Sequence, residues 1–289
     1  MAGNKKIRTA GSALRLLLLA ACLFMLASCG AGYAVPTNFE RLTANGSRKL
    51  DEGGLLSGLQ HNRVIFIGEA HTQNSDHSVQ LEVIKYLVKK GCRPVIAMEM
   101  FPDGDGVFLN RWEQGRISQQ QFRQFYKNHW EIGYSHYANI FEYAKKHRLP
   151  LVGINAGKEF IQEVELNGLS VLRAEDLLRI NFTPCSSDPA YRTMLMAGFT
   201  IHHAVFNNFC NAQRLRDYIM AWHVAELAVK YRGPVVVLLG AAHAVKRAVP
   251  LFMAMDFSKA PPYTVMVPEE INFLFGKELD HTVADYTWY

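Results

Sequence analysis

Five short apolar segments without polar alternation constrain the fold more than any other feature of this chain. The segments cover residues 63–67, 94–98, 149–154, 234–239 and 263–267. Strands that are buried on both faces lack alternation, and stretches with helical spacing separate these segments. The pattern predicts an α/β fold: a mostly parallel, four- to five-stranded sheet covered by helices, with a helical subdomain.

The segments between the strands predict the helices. Residues 76–90 form one expected helix, and helical excursions follow over about 102–148 and 157–232. Within the second excursion we expect breaks at Gly168 and near Asn207–Asn211, because Gly and Asn disfavour helix interiors.

The first 29 residues have the order of a bacterial lipoprotein signal. Four cationic residues precede an apolar run over 16–27, which is too short to span a bilayer of about 30 Å as a helix. The run ends in Leu26-Ala27-Ser28-Cys29-Gly30, which resembles a lipobox, in which the cysteine is lipidated and becomes the new N-terminus. An ordinary signal peptide with an incidental cysteine is the alternative.

These signals predict the domain organisation and the location. We expect a signal peptide at 1–28, a lipidated N-terminus and tether at 29–59, and a single α/β domain at 60–289. Gly30 stands where an inner-membrane retention signal would more often have Asp. We therefore expect a protein of the cell envelope that is lipid-anchored through Cys29, in the outer membrane of a Gram-negative bacterium.

The charge distribution excludes one class of partner. The formal net charge is +5, and removing the leader takes away four cations and no acid, which leaves +1. A near-neutral body has no broad basic field to hold a phosphate backbone, so nucleic acid is not an expected partner.

Three cysteines remain after Cys29. An oxidising compartment permits a disulfide, and Cys185 with Cys210 is the better pair because the two bracket one helical segment. Cys92 precedes an apolar strand and is predicted to be a buried thiol.

Polar side chains follow four of the predicted strands. They are Glu69 and His71, Glu99, Asn155, and His243, with Gly68 and Gly240 at two strand ends. Ligands of open parallel sheets bind beyond the carboxyl ends of the strands, so these residues predict a polar functional site. A purely structural network is the alternative.

The composition of this site suits a divalent metal such as Zn, Mn or Fe. One hypothesis is a metal-dependent hydrolase in which His71, His243 and either Glu69 or Glu99 hold the metal. The other glutamate would be the general base that activates water. The sequence has no Gly-x-Ser-x-Gly elbow and no Walker loop, which argues against serine hydrolases and P-loop nucleotide hydrolases.

The same residues carry a family resemblance that runs from about residue 60 to 255. The matching motifs are Ile67-Gly-Glu-Ala-His71 with His77 and Gln80, Ala97-Met-Glu-Met-Phe101, Trp130, Ile154-Asn155, Gln213-x-x-x-Asp217-x-x-Met220-Ala221 and Gly240-Ala-Ala-His243. Together they resemble the ChaN-type haem-binding lipoprotein family. Its wider superfamily resembles Tiki-type metalloproteases and erythromycin-esterase-like proteins.

The resemblance implies haem binding or haem uptake linked to iron acquisition. It also implies a homodimer, and an outer-membrane haem receptor is an expected partner. It places Gln213 and Asp217 near the strand-end site, and His77 stands at the start of the first helix, where it can point back over the sheet edge. The middle of the first motif, residues 73–77, departs from the usual form.

Haem needs an apolar slot and an axial donor. Among the donors on apolar helical segments, Tyr137, Tyr191, His202 and His203 are the candidates, and the stretch 129–137 also offers His129, Trp130, Tyr134 and His136. Helical core with polar tips is the alternative for each.

Overall fold

One mostly parallel sheet of eight strands organises the protein. The computed structural model describes residues 38–174, 177, 182–199, 203–256 and 260–289. The strands are β1 Phe39–Thr43, β2 Gly46–Leu50, β3 Val64–Glu69, β4 Val95–Pro102, β5 Leu151–Asn155, β6 Val235–Gly240, β7 Tyr263–Pro268 and β8 Tyr286–Trp288. Their order in the sheet is β2-β1-β8-β7-β3-β6-β4-β5. The predicted α/β class is confirmed, and the five predicted strands are β3 to β7, all mutually parallel.

The three additional strands extend one side of the sheet. β8 runs parallel to β7, and β1 is antiparallel to both β8 and β2. β1 and β2 are joined by a two-residue turn before Gly46, which has a φ of 115°. Asn45-Gly46 is a common hairpin signal, although no hairpin was predicted at this position. Residues 39–59, which were predicted to be part of the tether, belong to the folded domain, since the hairpin continues the sheet.

Helices cover both faces of the sheet. They are α1 Glu52–Leu59, α2 Asn74–Lys89, α3 Gly106–Glu113, α4 Gln119–His129, α5 Tyr134–His147, α6 Lys158–Asn167, α7 Pro189–Gly198, α8 His203–Lys230, α9 Ala241–Ala244 and α10 Val249–Asp256. The expected break at Gly168 is present, with a φ of 73° after α6.

The break predicted near Asn207–Asn211 is wrong, because α8 runs through these residues without interruption. The asparagines make tertiary contacts instead. Asn207 accepts a hydrogen bond from Arg192, and Asn211 accepts one from the backbone N–H of Cys185. The helical excursion is divided earlier, since α7 ends at Gly198.

The central strands are buried on both faces, which explains their unbroken apolar sequence. In β3, Val64 and Phe66 point into the core cluster that contains α8, whereas Ile65 and Ile67 point into the cluster that contains α2 and α5. Alternate residues of one strand thus serve two cores.

A disulfide joins Cys185 to Cys210, with 5.8 Å between their Cα atoms. It attaches the segment before α7 to α8. Cys92 is a free thiol and is only partly buried.

No helix in the described ranges has both the length and the apolar character needed to cross a bilayer. The predicted signal peptide, 1–28, and Cys29 lie outside the described residues.

Candidate polar site at the strand ends

The carboxyl ends of β3, β6 and β4 bring the predicted polar residues together. These strands are adjacent in the sheet. Glu69 ends β3, Glu99 lies within β4, and His243 lies in α9 directly after β6. All three side chains are buried, at 3%, 3% and 7% exposure.

Glu69 is the centre of a first chain of hydrogen bonds. The hydroxyl of Tyr137 and Nδ1 of His71 both donate to its Oε1, the latter at 2.8 Å. Nε2 of Gln80 donates to its Oε2 at 2.5 Å, and Nδ1 of His77 lies 3.4 Å from the same oxygen. These five side chains form a Tyr–carboxylate–His relay with two supporting partners.

The histidines keep Glu69 ionised. Burial alone would raise the pKa of Glu69, but hydrogen bonds and charge interactions with His71 and His77 lower it to about 2. Burial likewise opposes protonation of both histidines, yet their bonds to Glu69 raise their pKa values above the ordinary value. The relay is therefore an ion pair held inside the protein.

A second relay also joins a tyrosine, a carboxylate and a histidine, but its carboxylate comes from a different element of the fold. The hydroxyl of Tyr191 donates to Oδ2 of Asp217 at 2.6 Å, and Nδ1 of His243 donates to Oδ1 of Asp217 at 2.5 Å. Burial and the nearby Asp217 raise the pKa of Tyr191 well above its ordinary value. The carboxylate comes from α8, whereas in the first relay it comes from the same strand end as the histidine.

Glu99 lies between the two relays. Its Oε1 accepts a hydrogen bond from Arg216 at 2.8 Å and lies 3.6 Å from Nε2 of His243, and its Oε2 accepts one from the backbone N–H of Gly240 at 2.6 Å. Burial opposes ionisation, but His243, Arg216 and His71 together lower the pKa of Glu99.

A glycine is required at position 240 because the imidazole of His71 lies close to the backbone there. A Cβ atom on residue 240 would lie 2.9 Å from Cε1 and Nε2 of His71. The glycine thus lets the imidazole of His71 lie directly over the end of β6.

Arg216 has supporting partners of its own. Its Nε donates to Oδ1 of Asn155 at 3.3 Å, and its Nη1 donates to Oε1 of Gln213 at 3.1 Å. Asn155 in turn donates to the backbone carbonyl of Glu99 at 2.9 Å. Asn155 and Gln213 therefore position the guanidinium.

Asp76 holds the loop that carries His71. It accepts hydrogen bonds from the backbone N–H of Ala70 at 2.8 Å and from Nε1 of Trp288 at 2.9 Å. Burial raises its pKa to about 6.

A cavity of about 500 Å³ opens beside these residues. Its polar lining includes His71, Asn155 and Arg216 together with the charged residues Lys158, Glu131, Glu159 and Glu165. Its apolar lining includes Met100, Trp130, Ile132 and Ile161. The rings of His71 and Trp130 meet edge to face, with 5.1 Å between their centroids. The side chain of His71 is one-third exposed, and its Nε2 has no hydrogen bond to any described residue.

The structure changes the assignment of the haem donors. Tyr137 and Tyr191 are fully buried and donate to carboxylates, and neither lines the cavity. Both were selected as donors on an apolar helix, a pattern that does not show which partner a hydroxyl finds. His202 lies outside the described residues, and His203 begins α8. His129 and Trp130, by contrast, line the cavity.

The predicted divalent-metal site is not supported. Within the described ranges, no group of three or more His, Cys, Asp or Glu side chains is arranged to hold a metal ion. The physical reason lies in the partners: Glu69 is saturated by donors, and Glu99 is paired with Arg216.

Sequence reasoning missed Arg216 and Asp76. Arg216 is i+3 from Gln213 and precedes Asp217, so the helical spacing that selected those two residues could have found it. Nothing in the sequence pairs Asp76 with Trp288, 212 residues away.

Comparison with known proteins identifies relatives. The family model described as haem-binding uptake, Tiki superfamily, ChaN matches residues 55–251. Among curated proteins, none matches at the significance required. A solved structure described as cofacial heme binding to ChaN of Campylobacter jejuni is 16% identical with a TM-score of 0.64, and the match covers 86% of this chain and 96% of that one. This likeness shows a shared fold.

Weaker likenesses have TM-scores below 0.5. A mutant erythromycin esterase, EreC, in its open conformation is 13% identical with a TM-score of 0.48, covering 80% of this chain and 76% of that one. A succinoglycan biosynthesis protein is 15% identical with a TM-score of 0.47, covering 74% and 67%.

Proposed function

This chain belongs to the haem-binding uptake family of the Tiki superfamily that includes ChaN, and we propose that it binds haem in the strand-end cavity as part of haem or iron uptake. One observation carries the proposal: His71, whose Nε2 has no hydrogen bond to any described residue, lines a cavity of about 500 Å³, within the range of small-molecule pockets.

His71 is suited to be an axial donor. Binding iron requires His71 to give up its Nε2 proton; the ring then keeps its Nδ1–H donated to Glu69 and has its lone pair on Nε2. A carboxylate behind a ligating histidine fixes the ring and raises its basicity, which strengthens the bond to iron.

The rest of the cavity fits a porphyrin. Trp130, Met100 and Ile161 offer apolar surface for the ring. Lys158 and Arg216 also line the cavity and can pair with the propionates. When bound, haem is the cargo, and these residues bind and orient it.

Haemin titration followed by absorption spectroscopy tests the proposal. We expect a saturable Soret shift for the chain from Gly30 onward, and about a 10- to 100-fold weaker affinity for His71→Ala, the usual effect of disturbing a metal ligand's environment. His61→Ala is the matched control, because His61 is exposed and does not line the cavity. No shift in the wild type would refute haem binding, and an unchanged shift in His71→Ala would place the iron donor elsewhere.

The metal-dependent hydrolase has no observation in its favour among the described residues. Three of its predicted ligands, Glu69, Glu99 and His243, are engaged with protein partners, which leaves Nε2 of His71 as the available donor. Elemental analysis for zinc, manganese and iron separates the two functions, because a resident-metal enzyme carries stoichiometric metal after purification.

We also propose a lipid anchor at Cys29 in the outer membrane. The support is the order of cationic residues, apolar run and lipobox. For the full chain, Cys29→Ser is expected to move the protein from the detergent phase to the aqueous phase, measured by detergent partition in an expressing Gram-negative host. Equal partition of both forms would contradict the anchor.

The homodimer and the outer-membrane haem receptor stay proposals, and light scattering with and without haem tests the dimer.

A further inference from the structure

The β1–β2 hairpin presents an unusual pair of like charges. Arg41 in β1 lies directly opposite Arg48 in β2. Both side chains are exposed, and neither has an acidic partner within the described ranges. Like charges directly opposite each other on a strand pair are destabilising, so this arrangement favours an anion between or above them.

The surroundings of Arg41 are also cationic. Arg41, Lys246 and His281 line one polar cavity of about 410 Å³. The acid of that cavity, Asp285, is already paired, because its Oδ1 lies 2.6 Å from Nζ of Lys246. The neighbouring Asp280 is paired with Lys277 at 2.5 Å. Asp51 and Glu52 follow the hairpin, and Asp51 caps α1 through the N–H of Gly54. Glu40, the acid within the hairpin, lies opposite Lys49, so Arg41 and Arg48 leave the hairpin with a net positive charge.

The hairpin lies close in sequence to Cys29, the proposed site of lipid attachment. The hairpin is the first described element, and nine residues separate Cys29 from Phe39, so the chain between them reaches at most about 35 Å. A domain held on so short a tether stays near the headgroups, where anionic lipids attract cationic residues within a Debye length.

We propose that the β1–β2 hairpin, through Arg41 and Arg48, seats the domain on an anionic phospholipid bilayer. This inference rests on the lipid anchor of the proposed function. The anchor supplies attachment, and the arginine pair supplies orientation.

The consequence concerns the haem cavity. β1 and β4 are five strand spacings apart in the sheet, or about 24 Å. A bilayer at the β2 edge therefore leaves the cavity beside β4 and β5 away from the membrane and open to partners in the aqueous phase.

Vesicle sedimentation of the unlipidated chain from Gly30 onward tests the hairpin separately from the anchor. This chain keeps every described element, with both cores and the whole sheet. Vesicles of equal parts phosphatidylcholine and phosphatidylglycerol are compared with phosphatidylcholine alone, at low and at high ionic strength. We expect preferential, salt-sensitive binding to the anionic vesicles.

Matched variants identify the residues. Arg41→Gln and Arg48→Gln are each expected to lower partition about fivefold, and the double variant about 25-fold. The control is Arg111→Gln/Arg116→Gln, which removes two exposed arginines near α3 and should leave binding unchanged. Equal binding to both vesicle types, or an equal loss in the control, would overturn the proposal. The double variant should melt no lower than the wild type, since the substitution removes a repulsion.

The haem titration distinguishes this inference from the proposed function. The double variant is expected to give the wild-type Soret titration. Arginine-dependent vesicle binding without any Soret shift would overturn haem binding alone, whereas a normal Soret shift without vesicle binding would overturn the hairpin surface alone.

Discussion

Replacing Glu69 by alanine is expected to lower the free energy of unfolding by about 3–5 kcal/mol, the cost of removing one partner of a buried ion pair. The substitution leaves the hydroxyl of Tyr137, Nδ1 of His71 and Nε2 of Gln80 without their acceptor. Buried donors without acceptors each lose their solvation without compensation. Urea denaturation at neutral pH measures the effect.

Glu113→Ala is the matched control. Glu113 is a partly buried glutamate whose partner Arg93 is exposed and 3.4 Å away. Pairs of this kind contribute about 0–1 kcal/mol, so the control should lose little. A loss of less than about 1 kcal/mol in Glu69→Ala would show that the first relay does not support the fold.

The contribution of the buried ion pair at Glu69 to the free energy of unfolding is expected to decrease at both low and high pH. The folded pKa of about 2 lies below the ordinary 4.5, so its contribution is present above pH 4.5 and is lost as the pH falls through 2. A shift of this size corresponds to about 3 kcal/mol. The pKa values of His71 and His77 are raised from 6.5, so their contribution is present below pH 6.5 and is lost as the pH rises through the folded values.

The difference in unfolding free energy between wild type and Glu69→Gln should therefore be largest between about pH 4.5 and 6.5. Urea denaturation of both proteins at about pH 3, 5.5 and 9 measures it. Using the difference removes the contribution of every other titrating group, provided that the glutamine variant keeps the fold. A difference that does not change with pH would refute the buried ion pair.

The parallel strands of the sheet could be predicted because burial on both faces requires an unbroken run of apolar residues in the sequence. β3 to β7 have apolar residues at successive positions, and each was identified. β8 could not be found in this way, because it has three residues and gains its burial from β7 and β1. In α8 the error was the opposite, because a break was predicted where the helix continues. The asparagines that suggested the break form hydrogen bonds with residues outside the helix.

The site could be predicted as far as topology determines it. Parallel strands end at one edge, so Glu69, Glu99 and His243 had to lie close together. Which atoms meet is decided by helices that cross this edge: α5 brings Tyr137, and α8 brings Arg216 and Asp217. Arg216 and Glu99, for example, are more than a hundred positions apart in the chain. Sequence spacing alone does not predict such a contact.

The position of β3 in the sheet has a consequence for how the chain reaches its native state. β3 is completed near residue 69, yet both of its neighbours, β6 and β7, come from residues 235–268. During synthesis, N-terminus first, this apolar strand has both edges unpaired until almost the whole chain has emerged. Assembly must therefore be slow and late, as expected for non-local pairing. A nascent chain cannot complete the cavity early either, because Arg216, one of the residues that line it, comes from α8.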